Sequence, residues 1–141
     1  MTVALSGGCA CGAVRYQSTS DPLVCGHCQC RACQRASGTG HSSHVMVPKE
    51  ALTVRGVVSY WESPADSGNI VGRGFCPTCG TPVLSRNSGF PDYLFLRAAS
   101  LDDPSRFVPT LVVFTGTAQP WDRIDPALMA FETQPDANPG N

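Results

Sequence analysis

Apolar residues along this chain come in short bursts and not in helical stripes. Nowhere does an i, i+3, i+4 pattern run for three turns. Ala13–Gln17 alternates apolar and polar side chains, as a strand with one buried face does. His44–Val47, Val57–Trp61 and Tyr93–Arg97 read the same way. Thr110–Phe114 is apolar and β-branched, which predicts a strand buried on both faces. Turn formers separate these segments at Asp21–Pro22, Arg55–Gly56, Ser67–Asn69, Ser88–Gly89 and Asp103–Pro104. Two short helices are predicted. One follows Cys30 through Arg31–Ala36, and the other starts at Asp125, an N-cap with Pro126 at the first helical position. The pattern predicts a mostly-β chain with one or two short helices. Without repeats or linkers, residues 1–133 read as a single domain. Residues 134–141 carry no apolar anchor and read as a flexible tail.

Composition narrows the function. Fourteen glycines and twelve prolines in 141 residues favour short strands and loops. Ten basic residues meet eleven acidic ones, and Lys49 is the only lysine. A general nucleic-acid binder carries a basic excess, so no nucleic-acid partner is expected. No apolar run approaches the roughly 18 residues that span a bilayer, and no membrane association is expected. The first residues lack a basic segment and a long apolar stretch, so a cytoplasmic location is expected.

Eight cysteines remain to be explained, and in a reducing compartment clustered thiols bind metal or do chemistry more often than they form disulfides. Cys76-Pro-Thr-Cys79-Gly80 has the spacing of a zinc knuckle, in which two thiolates face one ion across a tight turn. A structural zinc needs four ligands, and Cys9-Ala-Cys11-Gly12 is the natural second pair. The 64 residues between Cys11 and Cys76 do not forbid that pairing, because closure entropy grows slowly with loop length.

The middle group is different. Cys28, Cys30 and Cys33 place three thiols within six residues, and three protein ligands with an open position is the pattern of catalytic zinc. Cys25, His27, His41 and His44 are near enough in sequence to close the site, and a closed site would be structural. A Cys25–Cys28 disulfide switch is a further alternative. Arg31 and Arg35 either are solvated charges or serve to lower thiol pKa values and receive an anionic substrate. His41 and His44 read as general-base candidates or as plain hydrogen-bonded histidines. Trp61 and Trp121, with Tyr60 and Phe114 near them, are expected to pack against the core or its rim, or else to line a substrate groove.

Three motifs taken together, Gly7–Tyr16, Cys28–Gly38 and Phe75–Gly80, resemble those of the glutathione-dependent formaldehyde-activating enzyme family, which includes centromere protein V. Val113–Trp121 is similar to that family's C-terminal strand, and the resemblance covers about residues 5–131 in order. It implies a β-tent fold, with small antiparallel sheets around a structural zinc held by Cys9, Cys11, Cys76 and Cys79. It also implies a second, catalytic zinc on Cys28, Cys30 and Cys33. The implied activity is that of a carbon–sulfur lyase joining glutathione and formaldehyde as S-hydroxymethylglutathione, with a small thiol or thiol adduct as partner. Two positions depart from the family pattern: Gln29 stands where many members have histidine, and Cys25 is additional. A zinc-stapled binding module with both metals structural is the alternative class, and a redox sensor is a third. Oligomeric state is not legible.

Overall fold

The computed structural model describes residues 2–134. The predicted tail therefore lies, but for Gln134, outside the described residues. In chain order the strands are β1 (Leu5–Gly8), β2 (Arg15–Ser18) and β3 (Val24–Cys28), then helix α1 (Arg31–Ser37). There follow β4 (Ser42–Pro48), β5 (Leu52–Arg55), β6 (Ser59–Pro64), β7 (Ile70–Phe75) and β8 (Pro82–Asn87). The last three are β9 (Tyr93–Arg97), β10 (Leu111–Val113) and β11 (Met129–Ala130). The mostly-β expectation holds. One sheet has three strands, ordered β1-β2-β5, and the other eight, ordered β11-β10-β3-β4-β9-β8-β7-β6. Both are antiparallel except at the β11 edge of the larger sheet, where β10 runs parallel to β3 and to β11.

The hydrophobic core lies between the sheets. The small sheet and the turn beside it contribute Leu5, Val14 and Tyr16, and the large sheet contributes Cys25, Val45, Val47, Leu84 and Leu96. Strand alternation explains this choice, since Val45 and Val47 share one face of β4. Tyr16 is only 1% exposed, and its hydroxyl meets Ser100 Oγ at 2.6 Å.

Two local expectations are corrected. Asp125 starts no helix: its side chain caps a single turn, accepting from Ala127 N at 2.9 Å. Leu128–Phe131 is drawn away from helix because Met129 and Phe131 donate to the Thr110 and Val112 carbonyls. The apolar strand of residues 110–114 is also shorter than its pattern. Thr110 is exposed, and Phe114 leaves the strand in the left-handed region at φ 59°.

Candidate metal centres

The first centre joins two turns. Cys9 and Cys11 follow β1, while Cys76 and Cys79 lie between β7 and β8, and all four sulfurs fall within 4.8 Å of one another. Cys9 and Cys11 are 3.6 Å apart and Cys11 and Cys76 3.8 Å. A tetrahedral zinc with metal–sulfur bonds of about 2.3 Å has sulfur–sulfur edges of about 3.8 Å. The donor set and its spacing thus fit zinc. The turns explain the geometry. Gly12 and Gly80 follow the second cysteine of each pair at φ 82° and 79°, a conformation costly for a side chain-bearing residue. Backbone amides aim at sulfur: Val14 N donates to Cys9 at 3.2 Å and Thr78 N to Cys76 at 3.4 Å. The Val14 contact draws the Cys9 thiol down from its usual pKa. Hydrogen bonds from the Thr81 hydroxyl and amide draw Cys79 down to about 5.

The second centre sits where β3 turns into α1. Cys28 ends the strand, Cys30 caps the helix and Cys33 lies in its first turn, with the three sulfurs within 4.8 Å of one another. Cys30 Sγ accepts from Cys33 N at 3.3 Å. The neighbouring Cys28 and Cys33 thiols pull Cys30 toward thiolate, and the proximity of Cys30 pushes Cys28 up. A negative charge placed in this cluster therefore rests first on Cys30. The donor set is three soft thiolates with no fourth sulfur in the group, which fits zinc with a position left for another ligand.

The later chain holds this turn. Thr117 Oγ1 donates to the Gln29 carbonyl at 2.9 Å, and Gln34 Nε2 donates to Gln29 O at 2.9 Å and Thr117 O at 3.0 Å. The left-handed Phe114 starts the turn that presents Thr117, and for a bulky residue that conformation costs about 1–3 kcal/mol. Gln29 Nε2 donates to Asp122 Oδ2 at 3.0 Å. Gln29 is therefore a buried clasp between two cysteines.

The open candidates of the sequence now separate. Cys25 and Cys28 are three residues apart on one strand, so alternation sends them to opposite faces. Cys25 pairs with Val45 and lies in the core, away from the three-cysteine cluster. Neither a Cys25 ligand nor a Cys25–Cys28 disulfide switch suits that placement. His27 lies on the core-side face with Ser43, to which its Nδ1 is bonded at 2.8 Å. His41 Nδ1 bonds Asp122 at 2.9 Å, where Asp122 packs closely over Gly40. His44 alone approaches the cluster, with Nε2 3.9 Å from Cys33 Sγ. Burial, then the charges of Arg97 and Arg73, hold His44 neutral with a pKa near 3.

Arg31 is turned to Gln34 Oε1, and Arg35 is exposed in the last helical turn. The guanidinium charges that do reach the thiols come from Arg73 on β7, which adds to the lowering of Cys30 by its neighbouring thiols, and Arg97 on β9, which only partly offsets the rise that Cys30 and burial impose on Cys33. Sequence reasoning missed both. Register shows their link, since Arg97 pairs with His44, Phe95 with Ser85 and Ser85 with Arg73, all on one sheet face. Trp61 and Trp121 are not core residues: they are 66% and 65% exposed. Tyr60 is half-buried against the core, with the Arg86 guanidinium 3.8 Å above its ring centre.

Fold and sites together define a β-sheet protein with two cysteine clusters that could each hold a metal ion, one of four sulfurs and one of three. The chain belongs to the glutathione-dependent formaldehyde-activating enzyme family, whose model matches residues 4–117. A relative from Halomonas elongata, named "Putative glutathione-dependent formaldehyde-activating enzyme", is 28% identical over 103 residues, 70% of this chain. That match spans 66% of the relative's length. A crystal structure of a Rhodobacter sphaeroides protein superposes with a TM-score of 0.57 at 17% identity. It covers 89% of this chain and 98% of that one, a likeness of fold. Among the described residues, no helix is long and apolar enough to cross a membrane.

Proposed function

We propose that this chain is a carbon–sulfur lyase that forms and cleaves a thiol–aldehyde adduct of the S-hydroxymethylglutathione type. In this reading Cys9, Cys11, Cys76 and Cys79 hold a structural zinc, and Cys28, Cys30 and Cys33 hold a second, catalytic one. Residues 1–133 act as one domain, and the unpaired thiols suit a reducing compartment such as the cytoplasm. The observation that carries the reading is the three-sulfur cluster, spaced for a tetrahedral ion and supplied with one sulfur too few to fill it.

Bound there, zinc supplies a Lewis-acid position that favours a thiol as thiolate. The chain's own groups do the rest. Cys28, Cys30 and Cys33 fix the position on a strand–helix turn that Gln34 and Thr117 hold in place. Arg73 and Arg97 offset negative charge that gathers at the sulfurs. In the forward direction a carbon–sulfur bond forms, the carbonyl π pair moves to oxygen, and the thiol proton ends on that oxygen. The reverse step breaks the same bond and frees the aldehyde and the thiol.

A second reading has one observation in its favour. His44 Nε2 lies 3.9 Å from Cys33, close enough for a small shift to complete four ligands and make the centre structural. Zinc content and turnover separate the two. The lyase reading expects two zinc ions per chain, one in Cys30→Ala, and catalysed exchange between formaldehyde and its glutathione adduct that Cys30→Ala abolishes. A two-zinc protein that catalyses no exchange with glutathione or other small thiols would leave the structural module standing.

A further inference from the structure

We propose that Arg97 is the buried counter-charge of the three-cysteine centre, a positioning residue that sets how firmly the centre holds its metal and a further thiolate. The inference rests on the lyase reading above and deepens it. Arg97 is 6% exposed. The described residues form ion pairs at Arg15–Asp102, Arg86–Glu62 and Arg106–Asp21, with His41 hydrogen-bonded to Asp122, and none of these includes Arg97. One guanidinium nitrogen donates to Ser42 Oγ at 2.6 Å, and its Nε is buried with no partner. A buried cation without an anion is unfavourable, and such groups are normally paired.

The missing anion is on the same sheet face. Arg97 stands opposite His44, whose Nε2 is 3.9 Å from Cys33 Sγ. Ser42, which accepts from Arg97, donates in turn to the Cys33 carbonyl at 3.1 Å and stands opposite Cys28. An imidazole carries no negative charge in either protonation state, so His44 is not that anion. Three thiolates around a divalent cation leave one net negative charge, and a fourth thiolate from a substrate makes it two. Arg97, with Arg73 on the same face, brings two positive charges. The protein side thus matches the centre with its substrate thiolate in place, and in this scheme a neutral oxygen ligand in that position is the less favoured one.

The test compares Arg97→Gln, which keeps a hydrogen-bond donor for Ser42 without the charge, with Arg97→Lys, which keeps the charge. Zinc is counted on purified protein, retention is measured by chelator competition, and glutathione is titrated into cobalt-loaded protein. We expect Arg97→Gln to keep the four-sulfur zinc but to lose the second at roughly tenfold lower chelator, and to bind glutathione roughly tenfold more weakly. Arg97→Lys restores most of both. Equal second-site retention and equal glutathione affinity in wild type and Arg97→Gln would overturn the inference while leaving the lyase reading intact. So would an Arg97→Lys protein as weak as Arg97→Gln, because shape and not charge would then matter. A wild type holding a single zinc overturns both. Should Arg97→Gln not fold, Arg97→Met against Arg97→Lys gives the same comparison, read by the same two affinities.

Discussion

Removing the knuckle, by Cys76→Ser with Cys79→Ser, should cost far more stability than emptying the three-cysteine centre. The reason is the length of chain each ion would close. Cys11 and Cys76 are 65 positions apart. Treated as a cross-link, a closure of that length restricts the unfolded chain by about 4 kcal/mol. Cys28 and Cys33 span only five positions, and the same relation gives about 2 kcal/mol. For a domain of this size each kcal/mol moves the melting temperature by about 3–5 °C. The double variant should then melt about 12–20 °C below wild type, and Cys30→Ala about half as far below. Cys76 is fully buried, so serine there also hides a hydroxyl in the core. Thermal melting followed by circular dichroism, with and without chelator, separates that effect. Chelator, which removes both ions, should lower the wild-type melting temperature by about 18–30 °C and the double variant by only the roughly 6–10 °C of its remaining ion. A double variant melting within about 3 °C of wild type, well inside the shift expected from the closure entropy, would refute the argument. A chelator that stripped all zinc without moving the wild-type melt would refute it too.

Cys25→Ala should destabilise the fold by about 1 kcal/mol through a small cavity, yet leave zinc stoichiometry and glutathione affinity unchanged. Loss of a zinc ion in that variant would mean Cys25 is a ligand after all. Hydrogen bonds from Arg15, then Ser6, hold the Asp102 carboxyl down to about 2. A folded value below the unfolded one stabilises above pH 3.8 and is lost as pH falls from there toward 2. The pair is 35% and 45% exposed, so solvent limits it to under about 1 kcal/mol. Asp102→Asn should thus lower urea stability slightly at pH 6 and match wild type near pH 2. A difference that persists unchanged at pH 2 would contradict the assignment.

Strands with clean alternation were legible, and so was the short helix after Cys30. Strand β7 was not, because its inward positions are Gly72 and Gly74, which leave no apolar alternation to read. A side chain at Gly74 would press on Val58 at 2.8 Å, so the pattern is erased by packing. The edge strand β11 escaped for another reason. Two residues carry it, and its hydrogen bonds come from β10, a partner that sequence spacing does not disclose. The four-cysteine cluster was visible in the two close pairs, Cys9/Cys11 and Cys76/Cys79, each followed by glycine. Which neighbour belonged with Cys28 was also readable once Val24–Cys28 is taken as a strand, since its odd spacing sends Cys25 to the other face. The supports of the second centre could not be read. Asp122 lies 93 positions from Gln29, and Arg97 lies 55 from Ser42. Only the closing of the sheet brings those pairs together.

On the lyase reading the three-cysteine centre admits a thiolate from outside. Cobalt in place of zinc reports this directly, because the sulfur-to-cobalt absorption grows when a sulfur enters the shell. Glutathione is titrated into the cobalt-loaded protein, with Cys30→Ala as the control that keeps only the four-sulfur ion. An open centre gives a saturable rise in that band in wild type, one glutathione per chain, and none in the control. A wild-type spectrum unchanged by saturating glutathione would mean the centre is closed, and the enzyme reading would fall with it.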